Sequence, residues 1–204
     1  MTSNYLFTLL LLLLMTGKSA YAQNKTTQGH FTEVVREEKG DLNHDRHDDK
    51  VIVKMDIIDQ TRPLLLQVFL SQPDKKLKLN VSSAQLIEPQ YPVEKKGKFN
   101  GYQIPDFFIE DGCLLMRTET EQGNITHEFK LLKGNFELAK VIRFTYNNSS
   151  NITTDSEYNL LTGLKTETEK HLGSEKAVRK HSQTLKVKPL LKLQDFKYID
   201  REKY

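Results

Sequence analysis

Along the chain, hydrophobic and polar positions alternate far more often than they recur at helical spacing, so the pattern predicts strands. Residues 50–56 are rich in β-branched side chains. Residues 63–70 are apolar almost throughout, as a central strand covered on both faces would be. Residues 71–74 have turn composition, and 76–82 then alternate strictly, which predicts a half-buried strand completing a hairpin. The segment 31–36, with Phe31, Val34 and Val35, suits either a short strand or a helical turn. Residues 84–101 hold Pro89, Pro92, Gly97 and Gly101 without a clear period and read mostly as loop.

From Tyr102 the pattern becomes a meander. Strands are expected at 106–110, 113–120, 125–132 and 136–146, with turns at Asp111-Gly112, at 121–124 and at 133–135. Ile125, His127, Phe129 and Leu131 share one face, and His127 is expected there as a core imidazole with its hydrogen bonds satisfied. Residues 147–154 read as a polar loop, and 158–169 as a hairpin turning at Thr162-Gly163. The charged stretch 173–183 has room for one short helix, and 185–188 and 190–193 flank Pro189 as an edge strand. The expected fold is mainly β, an antiparallel meander forming a sandwich or propeller-blade-like sheet with little helix.

The N-terminus breaks this pattern. Residues 6–15 are a ten-residue apolar run, far short of the roughly 20 needed to cross a bilayer but right for a secretory leader. Ala20 and Ala22 are small residues suited to a signal peptidase, so cleavage is expected after Ala22. This divides the chain into a leader, 1–22, and a single β-rich domain, 23–204. The domain is then secreted or periplasmic and has no transmembrane segment after cleavage.

Composition narrows the function classes. Thirty Lys and Arg against 27 Asp and Glu leave only +3, too small a basic excess for a dedicated nucleic-acid binder. One cysteine excludes an intrachain disulfide and any multi-cysteine metal site. Cys113 lies in an apolar run and is expected as a small buried hydrophobe, with a catalytic Cys113–His127 pair as the sharper alternative. Charge is unevenly placed. Residues 33–60 carry nine Asp and Glu against five Lys and Arg, and residues 161–204 carry six against eleven. The basic end could face an anionic glycan or membrane surface, or be an ordinary charged face.

One motif carries chemistry. Asp41, Asn43, Asp45 and Asp49 occupy positions 1, 3, 5 and 9 of a calcium loop, and His47 offers its backbone carbonyl at position 7. A hard cation needs six or more oxygens at about 2.3–2.6 Å, and short side chains at alternate positions of a tight loop can converge on it. Position 12 is Ile52 and a strand follows, so this is not a helix-loop-helix hand. The run Gly40-Asp41-Leu42-Asn43, then Asp45, Asp48 and Asp49, then Val51-Ile52-Val53, resembles the aspartate loop and strand of FG-GAP and VCBS-type repeats. More loosely, the chain is similar to exported bacterial proteins of unknown function that carry one such loop. The resemblance implies Ca2+ held by Asp41, Asn43, Asp45 and Asp49 with the His47 carbonyl. The family loop has Gly at position 6, where φ must be positive, and this chain has Arg46. That costs on the order of 1 kcal/mol and places a positive charge beside the ion, so the expected Ca2+ site is weak. A metal-free acidic turn and a zinc site through His44 and His47 are the competing readings.

No nucleophile-elbow, metalloprotease, phosphate-loop or dinucleotide motif is present. The carboxylate pairs Glu119/Glu121 and Glu167/Glu169 read as solvated sheet surface. Three function classes stand: an exported domain binding a protein or glycan of the cell envelope, a hydrolase of envelope or dietary polymers, and a structural envelope component. The first is favoured, with no catalytic residue assigned.

Overall fold

The computed structural model describes residues 29–203. The expected leader and the stretch that follows it, to residue 28, lie outside the described residues. Among the described residues there are eleven strands and three short 3-10 turns, and no helix is long and apolar enough to cross a membrane.

Two antiparallel meanders make up the domain. The first has β1 (Phe31–Gly40), β2 (Asp49–Asp56), β3 (Leu64–Ser71) and β4 (Leu77–Ser83), side by side in chain order. The second has β5 (Asp106–Glu110), β6 (Cys113–Thr120), β7 (Gly123–Leu132), β8 (Asn135–Asn147), β9 (Ile152–Asn159), β10 (Leu164–His171) and β11 (Ala177–Thr184), also in chain order. The sheets do not close into a barrel. The hairpin turns follow from sequence chemistry. At Asp111-Gly112 and Lys133-Gly134 both residues have positive φ, the arrangement whose twist matches that of paired strands.

One core serves both sheets. Val51 and Val53 of β2 and Leu64, Leu66 and Val68 of β3 meet Leu114, Phe129, Phe136 and Leu138 of the larger sheet. A strap from residue 185 onward closes this core. The Leu138 N–H donates to the Leu191 carbonyl (2.8 Å), Leu193 and Phe196 are fully buried, and the Tyr198 N–H donates to the Gln85 carbonyl (2.9 Å). The strap thus bonds to both layers.

Cross-strand register shows how the larger sheet changes character across its width. Phe107, Met116, His127 and Val141 lie in one row and are buried. The same row continues through Tyr158 and Lys165 to Gln183, where the sheet is half-buried and then exposed. The core face of β5–β8 therefore runs on as a polar face over β9–β11.

Several sequence expectations are corrected. The segment 173–183 holds no helix; β11 occupies its second half and pairs with β10. The edge strand expected around Pro189 is instead the extended strap, whose one β-bridge to the sheet among the described residues joins Lys192 to Glu137. The polar loop expected at 147–154 is shorter, because Ile152 already begins β9. In β4 the alternation is real, yet Leu77 and Leu79 are 46% and 45% exposed. Only Val81 and Ser83, in the second half of that strand, are covered.

Candidate functional site

The aspartate loop joins β1 to β2 at the seam between the sheets. A Cβ on Gly40 would lie 2.8 Å from an Ile109 side-chain carbon, so β1 and β5 approach as closely as glycine permits. The His44 ring packs on Gly112 in the β5–β6 turn, where no side chain would fit. The exposed His44 ring thus lies over the seam. The His47 ring Nδ1 lies 3.1 Å from the Arg46 carbonyl.

Within the loop the short acidic side chains turn inward, as the spacing predicts. Asp41 accepts backbone N–H bonds from Asn43 (3.2 Å), Asp45 (3.1 Å) and Arg46 (2.8 Å). The Asp45 N–H is shared with the Asn43 side-chain oxygen (3.0 Å), and Asp45 in turn accepts from the Asn43 amide (3.0 Å) and the His47 N–H (2.8 Å). Burial opposes ionisation of Asp41, but the amides of Arg46, Asn43, Asp45 and His44 outweigh it and hold its pKa below the usual 3.8. Arg46 adopts φ 68, the left-handed conformation expected at this position, so the arginine is accommodated with strain rather than by another loop shape.

Asp49 stands apart from these three. It is fully buried, and its two oxygens accept the Leu42 and Ser71 N–H groups, each at 2.8 Å. Burial raises its pKa, the two amides pull the other way, and the charges of Asp45 and Asp41 push it further up. Asp49 therefore clamps the loop onto the end of β3. Among the described residues no group of three or more His, Cys, Asp or Glu side chains is gathered as a metal cage. The oxygens that suit a cation are those of Asp41, Asn43 and Asp45 with the His47 carbonyl. That partial set already accepts loop N–H groups and falls short of the six oxygens a Ca2+ takes, so water would have to complete the shell.

Cys113 is a free, buried thiol whose Sγ lies 3.6 Å from Glu128. Burial and the Glu128 carboxylate push its pKa up, the opposite of an activated nucleophile. Cys113 pairs with Lys130 and His127 with Met116, and the two side chains lie on opposite faces of the sheet. The Cys113–His127 dyad is thus not formed. His127 is in the core as expected, but it is not satisfied. Neither ring nitrogen has a hydrogen-bond partner among the described residues, and the ring meets Phe196 edge-on at 4.9 Å. Burial is the main reason its pKa falls to about 4. The Arg201 carbonyl opposes this, and the charges of Arg143 and Arg201 add to it.

Two concave surfaces lie elsewhere, on the polar continuation of the core face. A trough of about 440 Å³ runs over β8–β10, floored by Thr145, Thr154, Ser156 and Tyr158. It adjoins a second hollow of about 670 Å³ beside the strap, where Leu160, Leu185 and Leu191 are flanked by Lys186 and Lys188. Both hollows include Tyr158 and Lys203. Sequence reasoning missed the trough because 147–154 read as loop. Alternation of Thr154, Ser156 and Tyr158 was the signal that could have revealed its floor. Glu167 lines the trough in an ion pair with Lys165 (3.0 Å), and Glu202 of the strap meets Arg143 at 2.9 Å. No family model, curated protein or solved structure matches the chain.

Proposed function

We propose that the chain is an exported binding domain whose partner is a protein or glycan of the cell envelope, with an FG-GAP-like aspartate loop that holds a weak Ca2+ and pins the seam between the sheets. One observation carries this reading: the larger sheet outgrows its core and presents an open polar trough over β8–β10. Five of the groups whose pKa is displaced point the same way. Asp41, Asp49 and Asp56 accept backbone amides, and Cys113 and His127 are buried away from solvent. Their shifts follow from structural burial and bonding, not from a cleft poised for acid–base chemistry.

The test is affinity capture from the envelope fraction of the source organism, using the purified protein and a Ser156→Leu variant that narrows the trough without adding charge. The expected result is a partner retained by the unaltered protein and lost from the variant at an unchanged unfolding midpoint. Equal capture by both would overturn the assignment to the trough. Release of soluble fragments from envelope material would favour the hydrolase instead.

A further inference from the structure

We propose that the trough over β8–β10 binds an anionic polysaccharide, a hydroxyl-rich sugar chain bearing carboxylates. This rests on the binding-domain reading and names the chemistry of the partner.

The floor supplies the first argument. Thr145 pairs with Thr154, Arg143 with Ser156, and Val141 with Tyr158, so three successive rows of one face each carry a hydroxyl. Rows on one face are about 6.8 Å apart and neighbouring strands about 4.8 Å, which sets the hydroxyls on a grid of sugar-ring dimensions. None of the Thr145, Thr154, Ser156 or Tyr158 hydroxyls has a hydrogen-bond partner among the described residues, although all four residues are half-buried. A hydroxyl both donates and accepts, so this floor matches a ligand made of hydroxyls.

The rim supplies the second. Arg143, Lys165 and Lys203 line the trough, and Lys186 and Lys188 stand over the adjoining hollow. Among the described residues, the carboxylates lining the trough are those of Glu167 and Glu202. Lys203 also meets Asp200. Lys186 and Lys188 have no ion-pair partner among the described residues, so positive charge is in excess where the two hollows meet. A neutral glycan would use the floor and leave that excess unanswered; carboxylated sugars answer both.

Other polymers fit less well. An extended peptide gains most by pairing with the free edge of β11, whereas a sheet face offers it no backbone partners. A single-stranded nucleic acid needs a series of stacking rings, and among the described residues Tyr158 is the one aromatic lining the two hollows.

Calorimetric titration of the purified protein with hexagalacturonate tests this, with maltohexaose and hexaglutamate as controls of equal length. Hexagalacturonate is expected to bind about tenfold more tightly than either control, and to weaken as salt rises to about 0.5 M. Lys186→Ala with Lys188→Ala should lower that affinity about threefold. Thr154→Val with Ser156→Ala should lower it about fivefold while leaving the unfolding midpoint in place. Equal binding of hexaglutamate would show that charge alone is read and overturn the proposal, as would the absence of hexagalacturonate binding. If hexagalacturonate fails but envelope capture still depends on Ser156, the sugar class falls and the binding-domain reading stands. If both fail, both fall.

Discussion

Replacing His127 with leucine should make the protein more stable, and by more in acid than at neutral pH. The ring is fully buried with two unpartnered nitrogens, so folding strips it of water and gives nothing back. A buried polar group without a partner costs about 1–3 kcal/mol, and leucine fills a comparable volume without that cost. Loss of the edge-on contact with Phe196 works against the gain by about 0.5–1.5 kcal/mol. The discriminating quantity is therefore the pH dependence. The folded ring titrates at about 4 and the unfolded one near 6.5. Between those values the unfolded chain binds a proton that the folded chain refuses, so stability is full above about pH 6.5 and declines as pH falls toward 4. By about pH 4.5 this single residue should remove roughly 2–3 kcal/mol. Urea unfolding of both proteins at about pH 7.5 and 4.5 measures it, since other acid-titrating groups are common to the pair. A stability difference between the two proteins that is the same at both pH values would refute the reasoning.

Asp49→Asn should cost about 1–3 kcal/mol in urea unfolding, because its carboxylate satisfies two backbone N–H groups and an amide offers only one acceptor oxygen. Calcium at about 10 mM should raise stability by about 1.4 kcal/mol over chelator if the dissociation constant is near 1 mM. Asp41→Asn should abolish that gain, and an unchanged thermal midpoint with calcium would remove the ion from the account. Arg46→Gly should stabilise the loop by about 1 kcal/mol, since φ 68 suits glycine, and should strengthen the calcium response. Gly112→Ala should cost about 1–3 kcal/mol, as the position combines φ 72 with the His44 ring packed against it; a neutral result in thermal unfolding would mean that the seam yields freely.

What was legible in the sequence divides along a physical line. Strands with one buried face, such as Val51–Val53–Met55 in β2 or Ile125–His127–Phe129 in β7, announce themselves because burial imposes the period of two. Turns at Asp111-Gly112 and Lys133-Gly134 were readable because positive φ favours Asp111, Gly112 and Gly134 there, although Lys133 takes φ 49 without being such a type. β9 and β11 were obscured, for neither face of Ala177–Thr184 meets a core and no apolar alternation is required there. The inward turn of Asp41, Asn43 and Asp45 was visible in their spacing. The diversion of Asp49 to the Leu42 and Ser71 amides was not, because it depends on where the end of β3 falls in space. His127 was placed correctly in the core but given partners it lacks, since hydrogen-bond supply is set by Phe196 and the strap, far along the chain.

The strap also sets the order in which the molecule can be finished. Leu193 and Phe196 follow every strand in the chain, yet each is as deeply buried as Leu66 or Phe129. While the earlier strands are being made, the space that these two side chains will fill stands open to water, and His127 lacks its ring neighbour. Acquisition of the closed state must therefore await residues 193 and 196. A chain released before residue 196 is made would carry paired strands around an unsealed core.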